Sequence, residues 1–190
     1  MNSIVARLRD LEEILDSAVS DAFGSEQIPG MTDTDVAELL AVTGRVQRRI
    51  EGLQVEATVQ VDDRSGGLKE DRMTTGSDPR AASRLVKAAR LVRRDSGITD
   101  GAFLPAQYQA LREVMVDGDL GLAGLLAATD PIEQSARRIS DEDRVEADRQ
   151  LAEFAHGMDS AASGDETACP APLPEDLGTL ARVMVAYLDP

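Results

Sequence analysis

Only 3% of this 190-residue chain is aromatic, three Phe and two Tyr with no Trp. That shortage limits the architecture more than any other feature. Sheet proteins stabilise their faces largely through aromatic and β-branched cross-strand pairs. A core filled by Leu, Val, Ala and Met suits helices instead, because Ala, Leu and Met are among the best helix formers. With 42% hydrophobic residues, the chain holds enough apolar material for one domain with a real core, or for a domain carrying a helical arm.

Hydrophobic spacing points the same way. Between Ser3 and Ala22, residues Ile4, Leu8, Leu11, Leu15, Ala18 and Val19 share one side and charges fill the rest, which predicts an amphipathic helix. "GSEQIPG" breaks it. In "TDTD", Thr32 can cap the next helix and Asp35 can close a capping box. That helix carries Val36, Leu39, Leu40, Val46, Ile50, Leu53 and Ala57. Its tail, "LQVEATVQV", also alternates as a strand would. No second segment of that quality is present to pair with it, and an unpaired strand is unstable, so helix is the expectation.

"DDRSGGLKEDRMTTGSD" reads as a polar loop ending in Asp78-Pro79, a good helix start. The following helix, Pro79 to about Arg94, is expected to bury Ala81, Leu85, Ala88, Ala89 and Val92. After "DSGITDG", a helix from Pro105 presents Leu104, Tyr108, Leu111 and Met115 to the core. "DGD" makes a turn in which Asp119 caps the short apolar helix "LGLAGLLAAT". Asp130-Pro131 repeats the helix-start signal. Ser140 in "SDED" caps a helix that reaches His156 and stops at Gly157. The last helix, from Pro174, spaces Leu177, Leu180, Ala181, Met184 and Leu188 by three or four, with Tyr187 expected in the core. The fold class is therefore all-α, an irregular multi-helix bundle of about seven helices. Its parts are an amphipathic arm (1–23), a helical core domain (31–157), a flexible, acidic, Pro-rich linker (158–173) and a terminal helix on the core (174–190).

A formal net charge of −15 repels nucleic acid and anionic membrane except where positive charge is concentrated. One such place exists. "DPRAASRLVKAARLVRRD" holds six of the chain's 20 basic residues and no acid between Pro79 and Arg94. At 100° per residue, Arg80, Arg84, Lys87, Arg90 and Arg94 fall within about a third of the helix circumference, opposite Leu85 and Val92. These five are the candidate nucleic-acid contacts. The competing reading is a solvated face whose arginines pair with carboxylates elsewhere in the chain.

Other patterns carry less. "DGDLGLAG" lacks the ligands of a calcium loop and the strand and Lys of a phosphate loop. Asp141, Glu142, Asp143, Glu146 and Asp148 lie at a helix start, where acids favour the macrodipole, and read as surface groups rather than a metal or acid–base cluster. His156, the only histidine, suits a helix C-terminus and has no convincing nucleophile, since Cys169 and Ser160 lie in the linker. One cysteine excludes an internal disulfide or a cysteine-cluster metal site. No segment resembles a signal peptide, and the longest apolar run, "GLAGLLAA", falls far short of the roughly 20 residues a membrane span needs. No membrane association and a cytoplasmic location are expected.

Several stretches together resemble the actinobacterial domain of unknown function that precedes HNH nuclease modules, also called the 13E12 repeat family. They are "RVQRRIEGLQVEATVQVDDR", "DPRAASRLVKAARLVRR", "GITDGAFLPAQYQALREVMVDGDLGLAGLLAAT", "ADRQLAEFAHG" and "PEDLGTLARVMVAYLDP". In that family the Leu-Asp-Pro after the last helix commonly leads toward the nuclease, so Leu188-Asp189-Pro190 looks like a seam with a C-terminal module. An HNH site needs histidines as base and metal ligand and an Asn that orients the base. This chain has one His, and its only Asn is Asn2, so no catalytic residue is carried over. The divalent metal that the family uses is expected in the absent module, with no cofactor in this chain. The resemblance implies a non-catalytic helical module of an HNH-type endonuclease that positions nucleic acid or regulates the nuclease. The alternative is a protein-interaction or homodimerisation scaffold with no nucleic-acid contact.

Overall fold

The computed structural model describes residues 3–24, 28–65, 78–95, 102–157 and 172–188. Most of the anticipated polar loop and linker, together with Cys169, Asn2 and Asp189-Pro190, lie outside these residues. Among the described residues there are seven α-helices and no strand, so the chain is all-α as expected. They are α1 (Ser3–Gly24), α2 (Asp33–Ser65), α3 (Pro79–Val92), α4 (Gln109–Asp117), α5 (Leu122–Gln134), α6 (Asp141–Ala155) and α7 (Pro174–Leu188). The "LQVEATVQV" segment is helical, and α2 continues through it to Ser65.

The chain divides into two compact units, Met1–Thr43 and Gly44–Pro190. In the first, α1 buries none of its residues. The start of α2 carries the expected capping box. Asp35 N–H donates to Thr32 Oγ1 (3.2 Å), and Thr32 N–H donates to Asp35 Oδ2 (3.1 Å). The Thr32 hydroxyl also donates to Asp35 Oδ2 (2.7 Å), and this bond first, then the Thr32 N–H, holds the Asp35 carboxyl below its usual range.

The second unit contains the core. Tyr108, Leu111, Leu120, Leu125, Ile132, Leu151 and Leu177 are its largest fully buried side chains. Of the five aromatics only Tyr108 is buried, and Phe23, Phe103, Phe154 and Tyr187 are exposed. The core is therefore aliphatic, as the composition requires. Its helices pack as α5 on α7, α4 on α6, α6 on α7, and α3 on α4 and α5. Leu177 and Ala181 are buried, with Leu180, Met184 and Leu188 packed beside them. Tyr187 lies roughly 100° around the helix from the mid-point of the buried Leu177 and Ala181 and is 82% exposed, correcting its expected core role.

Several helix boundaries differ from the sequence reading. Asp130-Pro131 starts nothing, because Pro131 lies inside the last turn of α5. A proline there removes one backbone hydrogen bond, and the fully buried Ile132 offsets the loss by keeping the turn on the core. α4 begins at Gln109, after a turn in which Ala106 N–H donates to the Gln109 side chain (3.1 Å), and Leu104 is exposed. Asp119 does not cap α5. Gly118 instead ends α4 with a left-handed φ of 85°, and its N–H returns to Met115 C=O.

The cap of α5 comes from another helix. Gly121 has no side chain to offer, and Glu51 Oε2 accepts from Leu122 N–H at 2.7 Å. On the same stretch of α2, Arg48 Nε donates to Gly118 C=O (2.7 Å) and Arg49 donates to Asp117 C=O (3.1 and 3.3 Å). Three charged side chains thus fasten α2 to the turn between α4 and α5. The apolar contribution of α2 comes from Val55 and Val59, with Thr58 between them, while Ile50 and Leu53 are exposed. Fixing α4 and α5 in this way fixes the two surfaces against which α3 packs.

Candidate nucleic-acid interface

The basic helix α3 starts where its sequence says it should. Asp78 accepts from Arg80 N–H at 3.3 Å, and Pro79 occupies the first turn. Its core face is Ala82, Leu85, Val86, Ala88, Ala89, Leu91 and Val92, while Ala81 is only half-buried. Small alanines on that face allow close approach to α4 and α5. Seven buried residues in fourteen leave α3 no freedom to turn, so the opposite face points outward by construction.

On that opposite face Arg80, Arg84, Lys87 and Arg90 are exposed. At 1.5 Å per residue, Arg80 to Arg90 forms a row about 15 Å long. Lys87 Nζ lies 2.6 Å from Asp130 Oδ1 on α5, and both side chains are partly solvated. Among the described residues, no carboxylate pairs with Arg80, Arg84 or Arg90. Among the described residues, the competing reading of a neutralised face therefore holds at Lys87 and not at Arg80, Arg84 or Arg90.

Arg94 falls outside the group. α3 ends at Val92, and Arg93 turns the backbone to an extended conformation (ψ 138°), so the 100° rule no longer places Arg94. Its guanidinium stacks over the exposed Phe103 ring at 4.8 Å, a cation–π contact. The turn also explains why Leu91 is buried although its angular position lies among the basic residues. Tyr108 N–H donates to Leu91 C=O (3.3 Å), bringing the chain across the last turn of α3.

The other titratable groups do structural work. Asp148, expected at the surface with its acidic neighbours, is buried and closes the N-terminus of α4. Its Oδ2 accepts from Ala110 N–H (2.8 Å) and its Oδ1 from Leu111 N–H (3.1 Å). Burial pushes its carboxyl above the usual range, against the pull of those two N–H donors. A sequence signal was present, because position 148 falls on the α6 stripe of Ala147, Leu151, Ala152 and Ala155. Tyr108 OH donates to Glu133 Oε1 (2.7 Å), and burial followed by that carboxylate pushes its phenol up.

His156 caps the end of α6, with Nδ1 3.0 Å from Asp119 Oδ2 and Nε2 3.8 Å from Asp117 Oδ2. This ties α6 to the α4–α5 turn and brings no hydroxyl or thiol to the imidazole among the described residues. Nor do three His, Cys, Asp or Glu side chains among them converge as metal ligands. A separate cavity of about 310 Å³ lies between α2, α3 and α4, with Val55, Val92, Met115 and Val116 among its walls. Arg112 and Glu56 pair beside it at 3.0 Å. Its lining is mostly aliphatic and presents no acid–base pair aimed at a reacting atom.

No family model, curated protein or solved structure matches this chain. No helix among the described residues is long and apolar enough to cross a membrane.

Proposed function

We propose that this chain is a non-catalytic helical module of an HNH-type endonuclease and that α3 contacts the nucleic acid the nuclease acts on. The motif likeness supplies the class, and bond cleavage with its divalent metal belongs to a separate C-terminal module. A cytoplasmic location accompanies this reading. The observation that carries the contact role is the row of Arg80, Arg84 and Arg90, outward-facing and unpaired with any described carboxylate in a chain of net charge −15. So acidic a chain has carboxylates to spare for neutralising a purely structural basic face. Phosphates fit guanidinium groups in such a row, because each planar fork donates two parallel hydrogen bonds.

The test is the salt dependence of duplex binding by this chain, read by fluorescence anisotropy. Three or four phosphate contacts predict a log–log slope of roughly −2.7 to −3.6, and so an affinity loss of about 40- to 150-fold between 50 and 200 mM salt. The Arg84→Glu/Lys87→Glu/Arg90→Glu variant should lose binding across the whole range. Equal weak binding by both proteins would remove the DNA role.

A further inference from the structure

We propose that α1 pairs in parallel with α1 of a second copy of this chain, forming a short two-stranded coiled coil. The helix carries an unbroken heptad pattern. Ile4, Leu8, Leu11, Leu15, Ala18 and Ala22 are separated by four, three, four, three and four residues, so every a and d position from 4 to 22 is apolar. None of these side chains is buried, and Leu8, Leu11 and Leu15 are each about 40% exposed. Arg9, Asp10, Glu13 and Asp16 all fall on the b, c and f positions, away from that seam.

The flanking positions choose the occupant and its direction. In a parallel pair, the g residue of one helix meets the e residue five positions on in its partner. Arg7 then faces Glu12, opposite charges, and Ile14 faces Val19, two apolar side chains, each contact occurring twice. An antiparallel pair on the same seam would gain Arg7 against Asp21 but would set Glu12 against Glu12 across the two-fold axis. A second copy in parallel therefore satisfies both the apolar seam and the charges beside it. Ala18 and Ala22 narrow the seam toward its end and let the two helices approach closely there. Dimerisation also gives each particle two copies of the α3 basic row, which raises avidity for a long polyanion if that row binds one.

Sedimentation equilibrium of the whole chain over a range of concentrations tests the pairing, independently of any DNA binding. A reversible dimer is expected. Leu11→Asp should raise its dissociation constant by about 100-fold or more, with the circular dichroism of the folded protein retained. Arg7→Glu should weaken the dimer several-fold, and Arg7→Glu/Glu12→Arg should restore it to within about twofold. Leu8→Cys in a Cys169→Ser background should form a disulfide-linked dimer on oxidation, because the introduced thiols face each other only in the parallel pair. In the antiparallel pair they would lie about 15 Å apart. A monomer at every concentration, a larger oligomer, or a dimer that fails to cross-link through position 8 would each overturn the proposal.

Discussion

Replacing Asp148 with Ala should destabilise the Gly44–Pro190 unit by about 2–4 kcal/mol, with an unusual dependence on pH. Its two carboxylate oxygens take the Ala110 and Leu111 amide hydrogens at 2.8 and 3.1 Å, where Leu111 is fully buried. Water cannot readily replace a buried acceptor. Two amide donors held by a charged acceptor are worth roughly 1.5–3 kcal/mol each. Relief from burying a carboxylate offsets part of that, which gives the net figure above. The sign of the pH effect follows from the raised carboxyl of Asp148. The folded state holds the proton more tightly than the unfolded chain, so this group adds stability as pH falls through its folded pKa toward the unfolded value near 3.8. The difference between wild type and Asp148→Ala should therefore widen on acidification. Urea unfolding followed by far-UV circular dichroism, from pH 7 down to pH 4, measures it. A gap that narrows toward acid would show that the ionised form is the favoured one and that the burial argument is wrong.

Two further predictions use the same unit. Glu51→Ala removes the acceptor for Leu122 N–H at a helix start whose own cap residue is Gly121, and should lower stability by about 1 kcal/mol in urea unfolding. Glu146 is held down to about 2, first by the Arg149 hydrogen bond and then by Gln150. An Arg149→Ala variant should raise its NMR titration midpoint toward 4.5, and an unmoved midpoint would show that the pair does not persist in solution. Any stability this exposed Glu146 adds is present above about 4.5 and is lost as pH falls toward 2.

Helix ends governed by adjacent residues were legible in the sequence. The Thr32/Asp35 box, the Asp78-Pro79 start, the Ser140 cap and the stop at Gly157 each depend on groups within four positions of one another. Ends set by distant partners were not. Nothing near Leu122 announces that Glu51 will cap it, and the pull of Ile132 on the core outweighs the local Asp-Pro signal at Pro131. The candidate interface divides along the same line. Angular spacing placed Arg80, Arg84, Lys87 and Arg90 on one face, but the Lys87–Asp130 pair spans two helices and is invisible to periodicity. Arg94 was misplaced because the helix rule was carried two residues past the point where the backbone turns.

The fastening of α2 has an evolutionary corollary. Arg48, Arg49 and Glu51 grip two carbonyl oxygens and one amide nitrogen, atoms that every residue type but proline supplies. Substitutions at Asp117 or Leu122 would leave the grip intact, so the positions on either side have no reason to change in step. Gly118 and Gly121 are the exceptions, since an added Cβ would come within 2.7 Å of the Arg49 side chain at the first and of Glu51 Oε2 at the second. Among relatives of this chain, compensatory variation would accordingly be silent along this helix attachment, and two invariant glycines would mark it on the turn.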